Sequence, residues 1–178
     1  MTDRISPRLG FALAALVCAA LIGFGYYLQF VKGLEPCPLC LLQRGFFYAV
    51  LAVCVVGALH GPAGRGRIVY GVLAFLVAAG GATVASRQVW LQHLPKDQVP
   101  QCGPDLFFML QNFPLSQTLQ KLIAGTGECA EVDWTFLGFS IAEWSLAWFC
   151  ALGFYALWLA ARRTAASPRG REGLRSSA

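Results

Sequence analysis

The sequence predicts an all-α membrane protein, a bundle of four transmembrane helices with one long outward-facing loop. Of the 178 residues, 57% are hydrophobic and only 13% are charged, whereas a typical soluble domain has roughly 25% charged residues. Four long apolar stretches account for most of this excess. A chain of this length cannot bury so much apolar surface in a compact core, and its composition is the opposite of that of a disordered chain. Soluble and disordered proteins are therefore excluded.

The four apolar stretches have the length of membrane-spanning helices. They cover residues 9–28, 41–59, 68–85 and 140–161, and a helix needs roughly 20 residues to cross about 30 Å of hydrocarbon. Uninterrupted runs of this length favour helices, which satisfy their own backbone hydrogen bonds in lipid. The first stretch is longer than the apolar region of a signal peptide, about 7–15 residues. We therefore expect it to be retained as a spanning helix.

Basic residues indicate how these helices are oriented. One side of the predicted bundle carries Arg4, Arg8, Arg65, Arg67 and the arginines that follow Ala161. Because Lys and Arg accumulate in cytoplasmic loops, we expect both termini to be cytoplasmic and the loops 29–40 and 86–139 to face outward. Residues 1–161 would then form a single membrane domain, followed by a disordered basic tail, 162–178. The net charge of +5 is thereby explained without a nucleic-acid partner.

The long outward loop contains two short helical patterns. Residues 105–113 bring several apolar side chains together, and residues 116–124 begin at a serine and end before Gly125, a common stop signal. Neither pattern is long enough to span a membrane. We expect both to lie flat in the membrane interface, with their apolar faces toward the lipid.

The seven cysteines divide by location. Three fall inside predicted helices, where a free cysteine acts as a small hydrophobe: Cys18, Cys54 and Cys150. Four lie in or beside the outward loops, in a compartment that permits disulfides: Cys37, Cys40, Cys102 and Cys129. A purely structural bond between the last two is one interpretation. A four-cysteine zinc site needs two close pairs, and the sequence has one C-x-x-C, so we expect no metal.

Cys37 and Cys40 form that C-x-x-C at the start of the second predicted helix. Pro38 suits a first helical turn, and a helix N-terminus favours a reactive thiolate. Arg44 follows Cys40 by four residues and therefore lies on the same face, one turn deeper. A cation at the edge of the hydrocarbon indicates a function, such as stabilising a thiolate or the negative charge that develops on a ligand. An arginine that only extends toward the lipid headgroups is the alternative.

Four motifs together resemble the bacterial disulfide bond formation protein B family, the quinone-dependent DsbB oxidoreductases. They are Glu35-Pro-Cys-Pro-Leu-Cys-Leu-Leu-Gln-Arg44, Cys102 in the long loop, Gly127-Glu-Cys-Ala-Glu-Val-Asp-Trp-Thr-Phe-Leu-Gly138, and Ile141-Ala-Glu-Trp144. The resemblance covers about residues 9–160 and includes the order of the loops. It implies a bacterial inner-membrane protein whose redox loops face the periplasm.

The resemblance also implies a role for each matching residue. Cys102 and Cys129 match the family's loop disulfide, and Cys102 matches the cysteine that forms a mixed disulfide with DsbA, a soluble thioredoxin-fold oxidase. Cys37 and Cys40 match the membrane-proximal pair, of which Cys40 interacts with the quinone. Arg44 matches the quinone-site arginine. Electrons would pass from reduced DsbA through both cysteine pairs to ubiquinone or menaquinone.

Other residues and other functions stay open at this stage. His93 lies in the loop where the family can carry a histidine near the quinone, and Glu35 and Gln43 are further candidates for that site. A membrane protein with inert structural disulfides, a paralogue that serves a dedicated DsbA-like partner, and an enzyme of the vitamin K epoxide reductase type are the alternatives. The last of these usually carries its C-x-x-C late in the chain. A transporter fits poorly, because the predicted helices contain few polar groups.

Overall fold

Four long helices form the body of the protein. The computed structural model describes residues 6–62, 64–95, 98, 111–114, 116–117, 125, 127–132 and 134–162. The helices are α1 (Pro7–Val31), α2 (Pro38–His60), α3 (Arg65–Gln92) and α4 (Ile141–Ala161). All four are long and apolar enough to cross a membrane, which confirms the predicted helical membrane fold.

Local sequence explains where three of the four helices begin. The Ser6 hydroxyl accepts a hydrogen bond from the Leu9 amide and caps α1. Cys37 caps α2, with Pro38 in its first turn. At α4, the Ser140 hydroxyl accepts from the Glu143 amide and the Glu143 carboxylate accepts from the Ser140 amide, a reciprocal capping box. Glu143, the one acidic residue of the fourth apolar stretch, is thus part of a helix start.

The helices extend beyond the apolar stretches that predict them. The largest difference is in α3, which continues from Ala85 to Gln92, so the first part of the predicted loop 86–139 is helical. Gln88 and Leu91 are buried in this extension. Hydropathy marks where a helix contacts lipid, whereas packing of one face keeps this more polar continuation helical. The predicted short helices at 105–113 and 116–124 lie mostly outside the described residues, where only 111–112 and 116–117 are seen as helical.

Each helix packs antiparallel to the next one along the chain. α1 contacts α2, α2 contacts α3, and α3 makes the largest interface with α4. Small residues permit this close approach, as is common between membrane helices. A Cβ atom at Gly71 would lie 2.7 Å from the Ala160 Cβ, and one at Gly81 would overlap the Phe149 ring. The start of α2 therefore meets the ends of α1 and α3 and the start of α4, at what we term the cysteine end of the bundle.

α1 and α4 meet at only one end of the bundle. The Tyr155 hydroxyl donates to the Gly10 carbonyl over 3.2 Å, and the Leu159 side chain packs directly onto Gly10. Few other contacts join these two helices. They diverge toward the cysteine end, where a fissure opens between them.

A small β-hairpin precedes α4 and was not anticipated from the sequence. Strand β1 (Thr135–Phe136) pairs antiparallel with β2 (Phe139–Ser140). The two turn residues, Leu137 and Gly138, both have positive φ, 55° and 84°, as a tight type I′ hairpin turn requires. Leucine rarely adopts this conformation. The sequence therefore lacks the pair of turn residues that usually marks a hairpin, and the hairpin was not predicted.

Candidate functional site

The two sulfur atoms of the C-x-x-C motif lie side by side at the start of α2. Cys37 Sγ and Cys40 Sγ are 2.8 Å apart. This separation is longer than the roughly 2.05 Å of a disulfide bond. The Cys40 backbone N–H also donates to Cys37 Sγ over 3.3 Å. This N–H is one of the donors of the first helical turn that have no partner within the helix, so the Cys37 sulfur caps the start of α2.

Cys129 lies against this pair. It belongs to the short 3₁₀ helix Gly127–Ala130, is fully buried, and packs with Leu39 and Leu91. Hydrogen bonding of Cys37 to Cys129 and to Cys40, together with burial, raises the pKa of the Cys37 thiol. Three of the four predicted redox cysteines therefore converge at one place. Cys102, the fourth, lies outside the described residues.

Gln88 adds an amide to the cysteine pair that sequence reasoning missed. Its side chain is 3% exposed, and its Nε2 lies 3.3 Å from Cys37 Sγ and 3.2 Å from Cys40 Sγ. Its Oε1 accepts a hydrogen bond from Gln43 Nε2. A glutamine just beyond an apolar run looks like a loop residue. The signal that could have found it is its helical register with Ala85 and Leu91 on the buried face of α3.

Arg44 is held in place one turn into α2. Its Nη1 donates to Gln29 Oε1 over 2.7 Å, and its Nη2 to the Gly25 carbonyl over 3.4 Å. The guanidinium also lies over the Tyr26 ring, 4.5 Å from the ring centre. These contacts come from α1, so Arg44 is directed into the bundle and does not simply extend toward the headgroups.

A cavity of about 510 Å³ opens in the fissure between α1 and α4. Cys40, Gln43 and Arg44 supply its polar wall. Apart from Ser145, the rest of the lining is apolar, with six aromatic residues: Phe24, Phe47, Trp134, Phe136, Trp144 and Trp148. The hairpin closes one side, because Trp134 packs edge-on against Phe24 and Trp144 Nε1 donates to the Phe136 carbonyl. Such a volume, lined by aromatic rings with a few convergent polar groups, suits a flat organic ligand.

A smaller cavity of about 90 Å³ adjoins the first and shares Cys40 and Arg44 with it. Its lining includes both sulfurs of the C-x-x-C motif and three carboxylates, those of Glu35, Glu128 and Glu131. Of the two further candidates from the sequence, Glu35 lines this smaller cavity with both cysteines, and Gln43 lines the larger one with Cys40. Of the two cysteines in the motif, Cys40 lines both cavities and Cys37 lines only the smaller one.

His93 lies apart from these groups. It follows the last residue of α3, is exposed, and its Nδ1 is 2.8 Å from the Val89 carbonyl oxygen. The described residues that line the two cavities do not include it, so a role for His93 at the quinone stays a prediction. Cys18 and Cys54 are buried in the helical core, and Cys150 is exposed on α4.

Comparison with known proteins gives one consistent result. The family model described as disulfide bond formation protein DsbB matches residues 7–159. A disulfide bond formation protein B of Hahella chejuensis is 50% identical over 158 residues, 89% of this chain and 94% of that protein. One of Methylococcus capsulatus is 50% identical over 152 residues, 85% and 93% of the two chains.

A third relative, disulfide bond formation protein B 1 of Pseudomonas aeruginosa, is 50% identical over 150 residues, 84% of this chain and 92% of that protein. The family model spans all four helices, the C-x-x-C motif, the 3₁₀ helix and the hairpin. A family of disulfide bond formation proteins agrees with cysteines that converge at one end of a membrane bundle. The chain belongs to the DsbB family of disulfide bond formation proteins, multi-pass membrane thiol–disulfide oxidoreductases.

Proposed function

We propose that the protein reoxidises a periplasmic DsbA-like thioredoxin-fold oxidase and passes the electrons to ubiquinone or menaquinone in the bacterial inner membrane. The observation that carries this proposal is the position of Cys40. Its sulfur belongs to the cysteine pair and also faces an aromatic cavity between two apolar helices. A redox-active thiol is thereby exposed to a lipid-soluble acceptor.

The proposed electron transfer consists of two successive thiol–disulfide exchanges. The Cys102–Cys129 disulfide accepts two electrons from the partner's dithiol through a mixed disulfide at Cys102, and the partner leaves as a disulfide. The resulting dithiol then reduces the Cys37–Cys40 disulfide. The packing of Cys37 against the buried cluster that contains Cys129 supports this second exchange, because a thiolate must reach the sulfur it attacks.

The aromatic cavity fits a quinone ring. The Arg44 guanidinium, fixed by Gln29 and Gly25, would donate to a carbonyl oxygen, and Trp134, Trp144 and their aromatic neighbours would enclose the ring. When bound, a quinone supplies an acceptor for two electrons and two protons. The Cys37 and Cys40 thiols supply both as they form their disulfide, so the overall reaction converts a dithiol and a quinone into a disulfide and a quinol.

The distribution of charge supports an orientation with both termini in the cytoplasm. Arg8, Arg65, Arg67 and Arg162 all lie at the end of the bundle opposite the cysteines. Because cationic residues accumulate on the cytoplasmic side, the cysteine end faces the periplasm in this proposal. Disulfides persist in that compartment.

The alternative is that the disulfides are purely structural, and an assay of quinone reduction distinguishes this alternative from the proposed function. The protein would be purified in mild detergent and supplied with excess reduced DsbA and a short-chain ubiquinone or menaquinone under anaerobic conditions. Loss of quinone absorbance would be followed for the wild type, for Cys40→Ser and Cys102→Ser, and for Cys150→Ser as the matched control. We expect reduction by the wild type and the control only. No reduction by folded wild-type protein with either quinone would refute the proposal.

A further inference from the structure

We propose that Gln88 is a catalytic residue whose side-chain N–H stabilises negative charge on the Cys40 sulfur, and that Gln43 is the positioning residue that directs this N–H toward the sulfur. The proposal rests on the function proposed above. It adds to the reaction an uncharged donor from α3, a helix that contributes no cysteine to the site.

The distances place the Gln88 amide between the two sulfurs. Nε2 is within 3.3 Å of Cys37 Sγ and within 3.2 Å of Cys40 Sγ, which is hydrogen-bonding range for a large sulfur acceptor. Both N–H groups of a primary amide can donate, so one side chain serves both atoms. An amide within reach of both sulfurs can donate a hydrogen bond to either one as the pair changes between dithiol, thiolate and disulfide.

Gln43 sets the direction of this amide. Gln43 Nε2 donates to Gln88 Oε1, so the oxygen of Gln88 is held toward α2 and its NH₂ group is left to face the cysteines. Gln43 and Gln88 are each 3% exposed. Buried amides without partners are costly, so this pairing favours one orientation of the Gln88 amide.

Gln88 can also serve the protonated form of Cys40. Its Oε1 lies 3.6 Å from Cys40 Sγ, where a thiol S–H can donate to it. The same amide thus accepts from the thiol and donates to the thiolate. Arg44, the nearby cation, is engaged by Gln29, Gly25 and Tyr26. Among the described residues, the side-chain donors within hydrogen-bonding distance of Cys40 Sγ are therefore the Cys37 thiol at 2.8 Å and the amide of Gln88 at 3.2 Å.

Pulsed alkylation tests this role without quinone or partner. The reduced full-length protein in detergent is treated with iodoacetamide across a pH series, and the label at Cys40 is quantified by mass spectrometry. Gln88→Met removes the donor at similar length, and Gln88→Leu is a second variant that does the same. Gln92→Met is the matched control: Gln92 lies one turn later on α3 and lines the same smaller cavity, but its side chain accepts a hydrogen bond from the Ser140 hydroxyl.

We expect Gln88→Met to slow Cys40 alkylation at pH 7 about tenfold, which corresponds to about 1.4 kcal/mol, and to move the midpoint of the pH profile upward. Gln43→Met should shift the profile in the same direction by less, since the amide of Gln88 is then free to turn. Gln92→Met should match the wild type. A change of access alone would alter the rate equally at every pH and would contradict the proposal.

Wild-type pH profiles in both folded Gln88 variants would overturn the role of Gln88. A wild-type profile in Gln43→Met alongside a shifted Gln88→Met profile would overturn only the positioning role of Gln43. The thermal midpoint of each variant shows whether it is folded. Because no quinone or DsbA is present, the two failures can be told apart: a shifted profile in a protein that fails to reduce quinone would sustain the stabilisation of Cys40 by Gln88 but remove the reaction in which that stabilisation is catalytic.

Discussion

Cys37 packs against the buried cluster that contains Cys129, although one cysteine lies at the start of α2 and the other in the long loop. Leu39 and Leu91 pack around Cys129 and exclude it from solvent. The 3₁₀ helix that contains Cys129 contacts both α2 and α3. The loop is therefore attached to the bundle at the position where exchange between the two cysteine pairs would occur.

This contact predicts which inter-loop disulfide forms most readily. In a Cys40→Ser, Cys102→Ser double variant, Cys37 and Cys129 remain, and we expect mild oxidant to join them rapidly. In the matched Cys37→Ser, Cys102→Ser variant, Cys40 and Cys129 remain and should join more slowly, because it is Cys37 that packs against the buried cluster of Leu39, Leu91 and Cys129. Non-reducing peptide mapping over time measures both rates. Equal rates, or a faster Cys40–Cys129 bond, would contradict the described geometry.

The same contact predicts how Cys37 responds to pH. Hydrogen bonds to Cys129 and Cys40, with burial, raise the pKa of Cys37, and a raised pKa keeps the unreactive thiol form to higher pH. We therefore expect iodoacetamide to label Cys37 slowly at pH 7 and faster only as the pH rises. Cys129→Ala removes the largest cause and should accelerate labelling at pH 7. Cys150→Ala is the control, and an unchanged or slower rate in Cys129→Ala would refute the assignment.

Arg44 is predicted to act on quinone binding and not on exchange between the cysteine pairs. Its guanidinium lines the aromatic cavity and is held by Gln29 and Gly25. A hydrogen bond to a charged group contributes about 1.5–3 kcal/mol, so Arg44→Met should lower kcat/KM for quinone roughly 10- to 100-fold. Arg44→Lys should recover only part, because an ammonium lacks the planar set of donors that reaches both partners.

Arg87→Met provides the matched control for Arg44. Arg87 stacks over the Trp90 ring and is not among the described residues that line the large cavity. The kcat/KM of Arg87→Met for quinone should equal that of the wild type. The rate of thiol exchange with reduced DsbA should be unchanged in Arg44→Met, Arg44→Lys and Arg87→Met. A normal kcat/KM in Arg44→Met would show that the cavity is not where quinone binds.

Much of this arrangement could be predicted from local sequence. The apolar stretches predict the four helices because lipid demands helices of that length. The C-x-x-C at a helix start and the cation one turn later predict Cys37, Cys40 and Arg44 as neighbours, since each relation spans a single turn. The buried Cys18 and Cys54 agree with their interpretation as hydrophobic residues inside helices.

What the sequence did not predict depends on packing between distant segments. Gln88 lies in a helical extension that hydropathy does not mark, and its role depends on α2 and α3 lying side by side. The approach of Cys129 to Cys37 depends on how the long loop folds back onto the bundle. Leu137 at positive φ concealed the hairpin, because residues that favour such turns are usually Gly, Asn or Asp.

Packing of α3 on α4 yields a prediction about stability that is independent of the redox chemistry. A Cβ atom at Gly71 would lie 2.7 Å from the Ala160 Cβ and 2.8 Å from the Ala156 carbonyl oxygen. The Ala156 carbonyl oxygen belongs to the backbone and cannot move away by a change of rotamer, so Gly71→Ala forces α3 and α4 apart. Overpacking of this kind costs about 1–3 kcal/mol, and the thermal midpoint in detergent should fall.

Gly45→Ala is the matched control, because Gly45 is a helical glycine on α2 with nothing within 4 Å of an added Cβ. Alanine favours a helix over glycine by about 1 kcal/mol, so the thermal midpoint of Gly45→Ala should be unchanged or higher. Opposite shifts in the two variants would locate the effect in the contact between α3 and α4. If Gly71→Ala instead matched or exceeded the wild-type midpoint, the close approach of these two helices would be wrong.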